Sequence, residues 1–206
     1  FGFTGISRGL MDFLKDHRHL GIHTEIFSDP LIDLVESGVV DNSTKKLFRG
    51  KSLATSCMGT RRLYDFVHDN PVVELYPSDT LLDPGLIASH DGMVAVNVAM
   101  QVDLRGQIRQ GNPAWTAVEG SGGESDFMRG ANLSKGGRSI ICMRSTSPRS
   151  GKSNIVPTFG PKASVIMNRG DANYIITEYG IAYLGGRSIR ERAMALIEIA
   201  HPDHRE

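Results

Sequence analysis

The chain has 206 residues, 40% hydrophobic and 22% charged, with 23 Lys and Arg against 23 Asp and Glu. That apolar share is enough for a sizeable core in one or two domains, and the balanced charge lacks the basic surplus of a dedicated nucleic-acid binder. No run reaches the roughly 18 apolar residues that span a bilayer. The two cysteines, Cys57 and Cys142, make neither a disulfide framework nor a metal cluster. The sequence therefore reads as a soluble globular chain from a reducing compartment, cytoplasmic, with a mitochondrial location as the alternative; no nucleic acid, membrane or metal is expected as a partner.

Phe1-Gly2-Phe3 reads as the tail of a strand already under way, and the last residues, His201 to Glu206, bring no clear closing element, so a piece of a longer protein is expected. Leu10 to Lys15 has helical spacing with Ser7 as N-cap. Leu20 to Phe27 reads as a short strand, Leu31 to Val35 as a helix ending near Gly38, and Ser52 to Cys57 as a strand. Arg61 to His68 predicts a helix before Asn70-Pro71. Val72 to Leu75, Met93 to Val98, Ser139 to Met143, Ser164 to Met167 and Tyr174 to Thr177 predict strands, and Ile189 to Ala200 a helix. Strands alternating with helices indicate an α/β sheet with an antiparallel portion around Val94 to Ile108. Glycine, 23 of 206 residues, exceeds the usual share of about 7% and clusters at 120–123, 130–137 and 180–186. Glycine-rich loops after strands are where open α/β sheets bind ligands. The basic, Ser-rich stretch 144–153 reads as a flap.

Glu25 interrupts an apolar run and is costly there unless paired or used. On spacing alone it is either a nucleophilic or acid/base carboxylate or a strand-end Glu facing solvent. Gly120-Ser121-Gly122-Gly123 is either an oxyanion hole of bare N–H groups or a tight turn. Gly151-Lys152-Ser153 fails as a phosphate-binding P-loop, because that motif needs Gly where Thr146 stands. His23 and His201 read as structural before catalytic. Arg61-Arg62 and Arg187, Arg190 and Arg192 read as solvated helix faces, and Cys57 and Cys142 as small core residues.

Leu20-Gly21-Ile22-His23-Thr24-Glu25 is followed, in order, by several further stretches. They are Met58-Gly59-Thr60-Arg61-Arg62-Leu63-Tyr64-Asp65-Phe66, Val102-Asp103-Leu104-Arg105-Gly106-Gln107, Asp126-Phe127-Met128-Arg129-Gly130-Ala131, Leu133-Ser134-Lys135-Gly136-Gly137, Thr177-Glu178-Tyr179-Gly180 and Ala200-His201-Pro202-Asp203. With them the chain resembles the acetyl-CoA hydrolase/CoA-transferase family, in its 4-hydroxybutyrate and butyrate:acetate CoA-transferase branch. The resemblance implies a CoA-transferase-like (NagB/RpiA-like) open sheet with flanking helices. Residues 1–206 then form the C-terminal catalytic half of a two-half protein, with the N-terminal half missing and a homodimer implied. It implies transfer of CoA between an acyl-CoA and a short carboxylate such as acetate, butyrate or 4-hydroxybutyrate, through a glutamyl-CoA thioester at Glu25. Acyl-CoA hydrolysis, or a non-catalytic module of a larger assembly, is the alternative. By position, Ile6, Gly122 and Gly123 match the oxyanion hole. Gly2, Phe3, Thr4, Gly5, Ile6, Asn97 and Gly123 match CoA contacts, Lys152 is taken as a CoA contact by reach, and no cofactor beyond CoA is implied.

The sequence departs from the family pattern at Thr4, where the first loop usually has Gly, and at Glu124, where Gln usually follows the Gly pair. Pro148 stands at the position of a CoA-contacting Lys, with Arg149 and Lys152 nearby; Asn154 replaces Arg, and Tyr183 and Gly185 replace Asp and Arg.

Overall fold

A computed structural model describes residues 5–109, 122–160 and 163–206. The chain divides into two compact units, Phe1–Met93 with Leu133–Gly137, and Val94–Asn132 with Arg138–Glu206. The class is mixed α/β, as the alternation of patterns indicates.

In the first unit, α1 (Gly5–Leu14) starts two residues before Ser7, so Ser7 lies inside the helix and is not its cap. The expected strand over Leu20 to Phe27 is broken. Leu20 bridges Val40, His23 bridges Leu53, and only β1 (Ile26–Phe27) is regular. α2 (Asp29–Glu36) opens on Pro30, whose fixed φ suits a first turn, and stops before Gly38 at φ 75°. The expected strand over 52–57 is split into β2 (Ser52–Ala54) and β3 (Ser56–Cys57), parallel to β4 (Val73–Leu75) and β1 respectively. α3 (Arg61–Val67) falls where the pattern puts it. Two short helices carry no strong sequence signal: α4 (Ser78–Leu81) and α5 (Pro84–Ala88), the latter capped by Asp83 accepting from the Leu86 N–H at 2.7 Å. Phe27, Leu31, Ile32, Leu34, Ala54 and Leu63 form the core beneath these elements.

The second unit is built on a four-stranded sheet in the order β11-β10-β8-β5. Its strands are β5 (Val94–Val98), β8 (Arg138–Cys142), β10 (Tyr174–Thr177) and β11 (Gly180–Tyr183). β5, β8 and β10 run parallel and β11 antiparallel. The antiparallel portion expected around Val94 to Ile108 is confined to β6 (Gln101–Asp103) and β7 (Ile108–Arg109), with β9 (Ile155–Val156) parallel to β6. The expected strand at Ser164 to Met167 reduces to a bridge between Met167 and Ile108. Among the described residues two α-helices complete the unit: α6 (Glu124–Leu133) and α7 (Ile189–Glu198), the latter opened by a Ser188/Glu191 capping box. Arg192 overturns the solvated-face reading of its own position: it is buried and donates to the carbonyls of Arg187 and Arg169 at 3.1 and 2.6 Å.

Candidate active site

Glu25 sits at the break just before β1, and neighbouring residues fix its backbone. Its carbonyl accepts from the Thr55 N–H at 3.0 Å, the Ser56 N–H at 3.1 Å and the Thr55 hydroxyl at 2.6 Å. One residue earlier, the Thr24 N–H donates to Leu53 O at 3.0 Å. Upstream, Asn42 adopts φ 55°, and its carboxamide accepts from the Ile22 N–H at 2.9 Å while donating to Ser52 Oγ at 3.0 Å. Lys45 Nζ donates to the carbonyls of Ile22 and Lys51 at 3.0 and 2.8 Å. Gly21 is required here, because a Cβ would lie 2.9 Å from Lys45 Cγ. The Glu25 side chain is half-buried.

Behind this segment lies a buried basic cluster that the sequence alone did not flag. His23 Nε2–H donates to Leu81 O at 2.8 Å, which sets the tautomer, and its ring meets His90 edge-on at 5.5 Å between centroids. Burial drives both imidazoles down to about 4; the Leu81 bond resists this for His23, and the Lys45 charge lowers both further. Burial also pulls Lys45 down to about 8, opposed by Glu74. His23 Nε2 is thus committed to a backbone carbonyl inside the fold.

In the second unit, Gly123 O accepts from the Phe127 N–H at 3.1 Å, which makes Gly123 the entry to α6. Gly122 has φ 62°, and a Cβ there would lie 2.5 Å from Glu124 Oε2, so the Glu124 carboxylate folds back over Gly122. Asn97 is buried on β5 opposite Ile141. Lys152 is exposed in a hydrogen-bonded turn, where Ser147 N donates to Lys152 O at 2.9 Å and Thr146 bridges Ser153; this turn occupies the stretch expected as a flap. Gly185, one of the departures, leaves the space that the Tyr183 phenol occupies. Gly5 and Ile6 lie in the first turn of α1, where N–H groups have no intrahelical acceptor. Gly2, Phe3 and Thr4 of the expected CoA loop, with Gly120 and Ser121, lie outside the described residues.

One further carboxylate stands at the carboxyl ends of β8 and β10, the edge where open sheets bind ligands. Glu178 accepts from Ser145 N at 3.0 Å and Ser145 Oγ at 2.7 Å. Burial alone would raise this carboxyl, but those bonds hold it below the usual carboxylate range. His201 reads as structural: its ring meets Tyr179 edge-on at 5.3 Å and its Nδ1 accepts from the Asp203 N–H at 3.3 Å. Cys57 and Cys142 are partly buried in strands, and burial pushes both thiols up. Among the described residues no group of three or more His, Cys, Asp or Glu is placed to hold a metal ion, and no helix is long and apolar enough to cross a membrane.

The chain is 45% identical over 205 residues to the 4-hydroxybutyrate coenzyme A transferase of Clostridium kluyveri, covering all of this chain and 48% of that protein. It is 43% identical to a succinyl-CoA:cyclohexane-1-carboxylate CoA transferase of Geobacter metallireducens, covering 99% of this chain and 47% of the relative. The crystal structure of RipA from Yersinia pestis superposes with a TM-score of 0.89 at 40% identity, over 99% of this chain and 45% of that one. The chain thus spans about half the length of the curated relatives it matches. The acetyl-CoA hydrolase/transferase C-terminal domain matches residues 59–206, and the chain belongs to that family.

Proposed function

We propose that the chain is the catalytic half of a CoA-transferase that moves CoA from an acyl-CoA to a short carboxylate through Glu25. The observation that carries this is the fixed backbone at Glu25, where three donors converge on one carbonyl at a break in the strand. A carboxylate is a weak nucleophile in water and gains from rigid presentation in a partly dehydrated site.

In this reading the Glu25 carboxylate attacks the thioester carbonyl, the C–S bond breaks and CoA leaves as thiolate, giving an acyl-glutamyl anhydride. The thiolate attacks the glutamyl carbonyl and expels the donor acid, leaving a glutamyl-CoA thioester. The acceptor carboxylate displaces the thiolate to form a second anhydride, and the thiolate then takes the new acyl group and frees Glu25. Each tetrahedral oxyanion needs preorganised donors. The N–H groups of Ile6 and Gly123, with Gly122 beside it, are assigned that role. Asn97, Lys152 and residues 2–6 are assigned to CoA. The acids named in the relatives, 4-hydroxybutyrate, cyclohexane-1-carboxylate and, as its CoA thioester, succinate, support a carboxylate as the acceptor. Hydrolysis, which the family's description also names, differs only in water intercepting the intermediate.

The test is to incubate the full-length protein with butyryl-CoA, reduce it with borohydride and map the product by mass spectrometry. A glutamyl thioester is reduced to an alcohol, so a mass loss at Glu25 is expected. Folded protein with an unmodified Glu25 would sink the reading.

A further inference from the structure

Gly123, assigned to the oxyanion, stands at the entrance of α6, and a polar stripe runs down one face of that helix. Ser125, Arg129 and Asn132 fall at i, i+4 and i+7, the spacing that aligns side chains on one face. Each is bonded to the segment 166–173 that leads into β10. Ser125 Oγ donates to Ile166 O at 2.9 Å. Arg129 holds the Asp171 carboxylate with two arms of its fork, Nε to Oδ1 at 3.1 Å and Nη2 to Oδ2 at 3.3 Å. Asn132 Nδ2 donates to Asp171 O at 2.8 Å. Its Oδ1 accepts from Asn173 Nδ2 at 2.8 Å and from Ser139 Oγ of β8 at 2.6 Å.

The segment that receives the stripe is itself tied down. Ile166 N donates to Ile108 O at 3.1 Å, Arg169 O accepts from the buried Arg192 at 2.6 Å, and Asn173 N donates to Ser139 Oγ at 2.9 Å. Asp171 is 6% exposed. A buried carboxylate paired with arginine adds little net stability, because desolvation of the charge offsets the attraction. What such a pair supplies is geometry, since two parallel bonds allow one relative placement. The buried Phe127, Met128 and Ala131 of the same helix pack without direction and tolerate a slide or a rotation. The stripe does not.

Gly123 follows the helix, because its carbonyl accepts from the Phe127 N–H at 3.1 Å. We propose that Arg129, Asp171 and Asn132 are positioning residues for CoA transfer: they set the height and rotation of α6, and so the place of the Gly123 N–H. The proposal rests on the reading of Gly123 as an oxyanion donor in the Glu25 reaction. Such a donor acts over about 2.7–3.1 Å, and a displacement of about 1 Å costs on the order of 100-fold in rate.

The experiment is a single turnover of the full-length protein with butyryl-CoA, quenched with borohydride at successive times. Rate and final amplitude of the label at Glu25 are then read separately. Arg129 is exposed, so its replacement leaves the apolar core in place. Arg129→Ala is expected to slow labelling about 10- to 100-fold at unchanged amplitude, with the steady-state KM for butyryl-CoA unchanged. A purely structural role lowers the amplitude, because fewer chains are folded, and leaves the rate alone; that result overturns the proposal, as does a wild-type rate and amplitude. Arg129→Lys keeps the charge and loses the fork, and is expected to stay about threefold to tenfold slow. Full recovery in it shows that charge and not placement matters, and overturns the proposal. Because lysine leaves Asp171 a partner, this variant also serves where the alanine variant does not fold. An unlabelled wild type sinks the reading at Glu25 and this proposal with it, whereas a labelled wild type with an equally fast Arg129→Ala sinks the positioning alone.

Discussion

The buried histidine pair makes the stability of the first unit depend steeply on acid. His23 and His90 are each 7% exposed, and both titrate at about 4 in the folded chain against 6.5 for a free imidazole. Above pH 6.5 both states are neutral and the pair contributes nothing to the pH dependence. As pH falls from 6.5 towards 4, the unfolded chain takes up protons that the folded chain refuses. Each histidine then costs about 1.4 kcal/mol per pH unit. At pH 5 that amounts to about 2 kcal/mol per histidine, or about 4 kcal/mol for the pair, a large part of a typical domain's stability. The groups facing the pair are Lys45, whose ammonium opposes protonation, and, behind it, Glu74. Urea unfolding at pH 7.5 and pH 5 measures the loss directly. His90→Phe keeps a ring against His23 and removes one titration, so about 2 kcal/mol less should be lost between the two pH values. An unchanged acid slope in that variant would show that His90 is protonated in the folded chain, and the reasoning fails.

Two further substitutions probe the site. Glu124→Gln removes the carboxylate lying over Gly122, beside the proposed oxyanion donor Gly123. Transferase kcat should rise about threefold to tenfold, because a nearby negative charge opposes a developing oxyanion. Steady-state rates with butyryl-CoA and acetate decide it, and a slower variant refutes the assignment of Gly123. Gly21→Ala pushes a Cβ against the Lys45 stem, which its two carbonyl bonds hold in place. A loss of about 1–3 kcal/mol is expected in urea unfolding, and Gly21→Ala with Lys45→Ala together should cost less than the sum of the single changes.

Much of the fold is legible because local signals and tertiary demands agree. Arg61 to His68 ends before Asn70-Pro71, and the structure places α3 at Arg61–Val67. Ile189 to Ala200 has a helical pattern, and α7 runs over Ile189–Glu198. The signals fail where the cause is not local. α6 was hidden because Gly122 and Gly123 at its start and Gly130 within it read as loop; its Phe127, Met128 and Ala131 have helical spacing. β11 was hidden because Gly180 read as part of a glycine-rich loop. At φ 146° it instead lets the chain turn through Glu178 and Tyr179 and pair back on β10. Arg192 looked solvated because nothing in its helix announces the Arg169 and Arg187 carbonyls it meets in space. Lys45 and His90 escaped for the same reason: burial of a lone charge is decided by packing between distant segments.

Glu25 shows why the most useful misreading was the strand. An apolar run interrupted by one carboxylate fits a strand with a misplaced charge, and a continuous ladder would tie the carboxylate to the regular alternation of the sheet. Here side chains replace part of the ladder: Asn42 takes the Ile22 N–H, Lys45 shares the Ile22 carbonyl with Leu53 N, and Thr55 takes the Glu25 carbonyl. These ties fix the backbone while freeing it from strand geometry: Asn42 and Lys45 hold Ile22, three residues upstream, and Thr55 holds the Glu25 carbonyl itself. A nucleophile that must meet thioester, anhydride and thiolate in turn needs a fixed origin more than a regular one. The break at Glu25 is therefore the part of the fold that most directly serves the proposed chemistry.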